Sequence, residues 1–378
     1  MTFEEFVLFA REKNASDIHL TVGSPTVFRI NGDLVKYSAV KGEPDFTPTA
    51  VNKAIHSMLT ADQEQLVGEG ADLDFTFELS DGSRQRVNVF HQSGRLAATI
   101  RLLNSRVPEM EELALPYVVR SFAEKRRGLV LVTGPTGSGK TTTLASMIDY
   151  INKNRPCHVI TIEGPIEYKY SDSRATIHQR EIGRDVSDFN TALRSALRED
   201  PDVILVGEMR DYETISLAIT AAETGHLVFG TLHTTGAAET INRIIDAFPA
   251  HGQAQVRSQL SAILEGVISQ TLIPMTNKRG MVAAVEVLVR NDAIHNLIRT
   301  DKTHQIDSVM QQGQKFGMCT LNDSIYRFYR ENKISRDDAL SFSNDKESLR
   351  KMFVGGQSDF CGVYIKKQVL ASIRSGDL

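Results

Sequence analysis

This chain lacks the features that define several large protein classes. It holds three cysteines in 378 residues, Cys157, Cys319 and Cys361, all far apart in sequence and none in a C-x-x-C pair. That spacing argues against a disulfide framework or a cysteine-held structural zinc, and it fits a reducing compartment. No apolar run reaches the length a transmembrane helix needs. The first residues carry Glu4, Glu5, Arg11 and Glu12, which leaves no apolar signal-peptide core. Net charge is −4, so no overall basic surface is expected to attract nucleic acid. Internal repeats and low-complexity tracts are missing too. The expected setting is cytoplasmic, without direct membrane insertion, and any membrane association would run through partners.

What remains is a length that favours two domains and an ordinary apolar fraction of 41%. Phe3, Phe6, Val7 and Ala10 fall on one helical face. Residues 17–22 and 26–30 alternate like strands, and Asn31-Gly32 predicts a hairpin turn between strands. Pro48 predicts a helix start, with residues 50–67 as that helix. Residues 73–79, 84–90 and 96–103 alternate again around a turn at Asp81-Gly82. This reads as a small α+β domain over residues 1–104, followed by a linker ending at residue 115. Beyond it, strands alternate with long helices, the signature of a parallel α/β sheet. Expected strands are 129–133, 158–162, 203–206, 227–231 and 282–289. Expected helices are 141–152, 187–198, 212–224, 237–247 and 253–271, with Ser187 and Asp211 as N-caps, then a helical region over 292–342. The tail from residue 346 reads as a helix with a mobile end, or as a docked segment because Phe360, Val363, Tyr364 and Ile365 are apolar.

One stretch organises the rest. Gly134-Pro135-Thr136-Gly137-Ser138-Gly139-Lys140-Thr141 fits G-x-x-x-x-G-K-[ST] and sits between an apolar strand and a helix. Its glycines permit dihedrals a Cβ would forbid, so backbone N–H groups can converge on a phosphate. The helix behind it adds partial positive charge. Lys140 is placed to meet the β- and γ-phosphates of ATP, and the Thr141 hydroxyl to ligate Mg²⁺. Thr142, at the same helix end, counts among the nucleotide contacts with no chemistry of its own.

Two further strands end in carboxylates. Glu208 follows 203–206 and is the expected magnesium partner, working through water because Gly207 stands where a generic motif has Asp. Glu163 follows 158–162 and is the expected base that orients water against the γ-phosphate. Glu167, close behind it, has the weaker claim. His226 and His233 bracket another strand, and either is a candidate γ-phosphate sensor, with His233 favoured. Arg86 and Arg101 alternate with apolar residues on strands of the first domain. Their spacing alone favours a solvated face over a role in trans at a neighbour's site.

Taken together, residues 134–141, 161–168, 192–202, 205–211 and 220–235 resemble the type IV pilus retraction ATPases, the PilT/PilU group of secretion ATPases, over about residues 1–345. The resemblance implies a smaller PAS-like N-terminal domain and a RecA-like P-loop motor domain over 116–345, assembled as a homohexamer. It implies Glu163 as catalytic base, Glu208 as the Walker B glutamate and His233 as the His-box histidine. It also implies that Arg86 and Arg101 reach nucleotide phosphates. The implied partners are an inner-membrane pilus platform protein and a second retraction ATPase; the implied activity is ATP hydrolysis driving pilus retraction. Two positions depart from the pattern: Gly164 replaces the Asp beside the proposed base, and His295 stands where the retraction motif has Arg. Two rival readings stay open: an accessory nucleotide-binding protein that depends on another motor, and another RecA-like motor such as an assembly ATPase or a helicase.

Overall fold

The alternation in the first hundred residues builds one antiparallel sheet. A computed structural model describes residues 2–30, 32–42, 45–103, 106–277 and 280–355. Strands β1 (Ala15–Thr21), β2 (Val27–Ile30), β3 (Asp33–Lys36), β4 (Leu73–Glu78), β5 (Arg84–Gln92) and β6 (Arg95–Leu102) lie in the order β3-β2-β1-β6-β5-β4. Ile30 pairs with Asp33, so β2 and β3 form the expected tight hairpin; Gly32 takes φ 91°, and Asn31 lies outside the described residues. One sheet face carries Ile18, Phe28, Val87, Val89 and Ile100 into an apolar core. The helix Phe3–Glu12 closes that core with Phe6, Val7 and Ala10, the face its spacing predicts.

The expected single helix over 50–67 is two helices, Pro48–His56 and Ala61–Gly68. Thr60 begins the second with a capping box: its hydroxyl accepts from Gln63 N, and the Gln63 side chain accepts from Thr60 N. That local alternative to continuous helix is the usual preference of Thr followed by Gln three residues on.

The second sheet holds β7 (Gly128–Thr133), β8 (His158–Glu163), β9 (Thr176–Glu181), β10 (Val203–Val206), β11 (Leu227–Leu232), β12 (Leu264–Pro274) and β13 (Met281–Val289), in the order β13-β12-β7-β11-β10-β8-β9. Its pairings are parallel except for β12 with β13. All residues of β7, β10 and β11 are buried, because helices cover both faces. Separate apolar cores lie on the two sides.

Two expectations fail here, and one strand, β9, was not expected. Residues 253–271 are not one helix: Gln253–Ile263 is helical, then Leu264 turns extended and begins β12. Leu260, Ile263, Leu264 and Val267 fit a helical period, but a strand buried on both faces shows the same apolar density. Gly266 rules out a bulkier strand residue, since an added Cβ would sit 2.2 Å from the Phe122 ring. Strand β9 went unread because Thr176-Ile177-His178-Gln179-Arg180-Glu181 is mostly polar. The helix Phe189–Ala196 is capped by Asp188 rather than Ser187; Thr191 N donates to the Asp188 carboxylate, and Ser187 Oγ donates to it as well.

The region after residue 291 is helical in short pieces, as expected. The helix Lys346–Gly355 docks through buried Leu349 and through Phe353 against Tyr326 and Tyr329. Phe360, Val363, Tyr364 and Ile365 lie outside the described residues. By contacts, one compact unit comprises Met1–Val107 together with Pro165–Lys169, and the other begins at Pro108. The short segment carrying Glu167 thus belongs with the six-stranded sheet.

Candidate active site

Strand β7 ends at Thr133, and the loop that follows is built on glycine geometry. Gly134, Gly137 and Gly139 take φ 140°, 78° and 89°, a region L side chains rarely adopt. Gly139 is the N-cap of the helix Lys140–Asn154, so that helix directs its free N–H groups at the loop. Lys140 Nζ donates to the carbonyls of Gly134 (2.8 Å) and Pro135 (3.1 Å). Ser138 Oγ is buried without a hydrogen-bond partner, an orphan that a phosphate oxygen would satisfy. Thr141 and Thr142 lie in the first helical turn and are half-buried. The loop therefore fits a triphosphate.

The loop is braced by a residue the sequence reading did not single out. Gln270, buried on β12, donates from Nε2 to Ser138 O (2.5 Å) and accepts at Oε1 from Thr143 Oγ1 (2.9 Å). Its neighbour Ser269 accepts at Oγ from Gly236 N (2.8 Å), in the loop just beyond His233.

Because β7, β11, β10 and β8 are parallel, their carboxyl ends share one edge of the sheet. That edge gathers the phosphate loop after β7, His233 after β11, Glu208 after β10 and Glu163 at the tip of β8. Glu163 is 6% exposed and is held at Oε1 by Thr161 Oγ1 (2.6 Å) and Gln179 Nε2 (3.3 Å). Gln179 belongs to the unread β9 and lies in register with Thr161. Glu208 Oε1 meets His233 Nε2 at 2.8 Å and also pairs with the Arg210 guanidinium. Burial pushes the Glu208 carboxyl up, but Arg210 and then His233 outweigh it, so it is held below its ordinary value. Gly207 is explained by space: an added Cβ would sit 2.9 Å from Ile162 O and 3.3 Å from the Glu163 Cα. Gly164 is different. A Cβ there would lie 3.5 Å from Ile182, ordinary contact, so the position admits a side chain.

His226 precedes β11 and therefore lies at the opposite edge from the loop; its Nδ1 bonds the Ala221 carbonyl at 2.9 Å. It anchors a helix end, whereas His233 stands at the edge that carries the loop. In the first unit, Arg86 and Arg101 are direct cross-strand neighbours on β5 and β6. Arg86 holds Asp74 with two bonds (3.1 and 2.5 Å), and Arg101 Nε donates to Asp17 Oδ1 at 3.0 Å. The hydrogen bond to Asp74 raises the Arg86 pKa further, with Glu167 adding a smaller pull.

A parallel sheet with a phosphate loop after β7 and carboxylates at neighbouring strand tips defines a RecA-like P-loop ATPase. Residues 3–332 match the family described as type II/IV secretion system protein. The chain is 47% identical over 339 residues to the type IV pilus retraction ATPase PilT of Pseudomonas aeruginosa, covering 90% of this chain and 97% of that protein. It is 35% identical over 360 residues to the type IV pilus ATPase PilU of the same organism, covering 95% and 93%. The crystal structure of the pilus retraction motor PilT with bound ADP aligns with TM-score 0.85 at 47% identity, over 93% of this chain and all of that one. The chain belongs to the type II/IV secretion family and, within it, to the PilT group of retraction ATPases.

Proposed function

We propose that this chain is a motor for type IV pilus retraction: a homohexamer that hydrolyses ATP at the cytoplasmic face of the inner membrane and works on a platform protein there. The observation that carries this reading is the gathering of the phosphate loop, Glu163, Glu208 and His233 along one sheet edge. In this reading Gly134, Pro135, Thr136, Gly137, Ser138, Gly139, Lys140, Thr141 and Thr142 hold the triphosphate. Lys140 exchanges the Gly134 and Pro135 carbonyls for phosphate oxygens. Glu163, aimed by Thr161 and Gln179, takes the proton of the attacking water. Thr141 and Glu208 would hold Mg²⁺, which supplies charge neutralisation at the phosphates when bound. His233, bonded to Glu208, senses the γ-phosphate by hydrogen bonding. Arg86 and Arg101 leave their aspartates for phosphate oxygens in the assembled ring.

Gly164 favours a second reading, in which turnover is weak and the chain assists another retraction ATPase. One experiment separates the two. A piliated bacterium stripped of its own retraction ATPases is given this chain, and pilus shortening is followed by fluorescence. Retraction is the expected result. No retraction until a second retraction ATPase is restored would replace the motor reading with the accessory one.

A further inference from the structure

The bonds made by Gln270 are more specific than packing requires. The residue is 2% exposed in the middle of β12, and its two partners lie 132 and 127 residues away in sequence. Both ends of the amide are used: Nε2 donates to the Ser138 carbonyl, and Oε1 accepts from the Thr143 hydroxyl. Flipping the amide would set oxygen against the Ser138 carbonyl, so the network fixes its orientation. The Ser138–Gly139 peptide is planar and trans. With its carbonyl turned toward Gln270, its N–H must point the other way. That N–H belongs to the N-cap of the phosphate-loop helix. Gly139 also rests directly on the amide, since an added Cβ would lie 2.9 Å from Gln270 Nε2, and one on Gly134 would lie 2.2 Å from the Gln270 backbone oxygen. One residue of β12 therefore touches both ends of the loop and the first turn of its helix.

We propose that Gln270 is a positioning residue for nucleotide: it sets the peptide plane at Ser138–Gly139 so that the loop N–H groups are preoriented for phosphate. The claim rests on residues 134–141 being a phosphate site. It adds that affinity is set partly from β12, through a buried amide rather than a charge. Preorientation means the cost of ordering the loop is met on folding instead of on binding.

The test is binding of fluorescent ADP to the intact chain, with the thermal transition measured without nucleotide. Three variants are compared with the native protein: Gln270→Leu removes both bonds at similar volume, Gln270→Glu keeps the Thr143 bond but opposes a carboxylate to the Ser138 carbonyl, and Thr143→Val removes one bond only. The expected result is a Kd raised about tenfold for both Gln270 variants and about threefold for Thr143→Val, in protein that still melts cooperatively, as loss of a buried hydrogen bond implies. Native-like Kd with a lowered transition would overturn the proposal and leave Gln270 a packing residue. Should the Gln270 variants fail to fold, an unchanged Kd in Thr143→Val overturns it just as well. Failure of the native chain to bind ADP would instead overturn the phosphate-site reading beneath it.

Discussion

In the six-stranded sheet, Arg86 and Arg101 lie side by side on the face away from the apolar core, each clipped to an aspartate and open to water. In the seven-stranded sheet, both faces are covered and two carboxylates stand at the strand tips, where Glu163 is held by Thr161 and Gln179 and Glu208 by Arg210 and His233. The same residue types thus sit under different constraints. An exposed pair contributes about 0.2–1 kcal/mol, so Arg86 can change partners at little cost. A buried carboxylate with several donors cannot swing without leaving donors unsatisfied. The difference separates strand-tip carboxylates held by several donors from Arg86, which is easily re-paired; Arg101 stands between the two, since its partner Asp17 is itself buried.

Changes at the fixed edge should have the largest effects. Lys140→Ala removes the charge-assisted contact to phosphate and should weaken ADP binding by roughly 10–100-fold, read by titration, while the unfolding midpoint barely moves. Binding within a factor of two would contradict the role of Lys140. Next come the two glycines beside the carboxylates. Gly207→Asp forces a Cβ against Ile162 O and should cost about 2–4 kcal/mol in urea unfolding. Gly164→Asp meets only ordinary contacts and should leave stability within about 0.5 kcal/mol, with faster hydrolysis if the missing carboxylate limits turnover. Equal penalties at the two positions would break this part of the contrast.

The pH dependence of Glu208 is subtler. Its folded pKa is lowered from 4.5 because Arg210 and His233 outweigh burial. Its stabilising contribution is therefore full above the unfolded value and is lost as pH falls through the lower folded one. The stability difference between native protein and Glu208→Gln should be flat above about pH 5 and shrink below pH 4.5, measured by urea unfolding. A difference that grows on acidification would reverse the sign assigned here. Smallest of all, Asp74→Ala should cost under about 1 kcal/mol, since both partners of its pair are over a third exposed. A loss above 2 kcal/mol would mean the arginines are as constrained as the carboxylates.

Much of this was legible because it is local. The phosphate loop carries its glycines and lysine in eight consecutive residues, and β7, β10 and β11 are short apolar runs ending at the residues that matter. The Asp211 cap and the hairpin at Gly32 are also written in neighbouring residues. What escaped depends on contacts distant in sequence. Gln270 looked like a polar residue late in a helix, because a doubly buried strand and a helix share apolar density over Leu264–Ile268. Gln179 was unreadable for the converse reason: a polar stretch became a strand only because β8 lies beside it. The placing of His226 was a matter of direction, since only the parallel topology shows which end of β11 faces the loop.

The most direct test is phosphate release by the native chain and by Glu163→Gln, both saturated with ATP and magnesium. The account predicts measurable release from the native chain and about a hundredfold less from the variant, with nucleotide affinity unchanged. Equal release from the two would take Glu163 out of the base role and leave the strand-tip carboxylates without their proposed function.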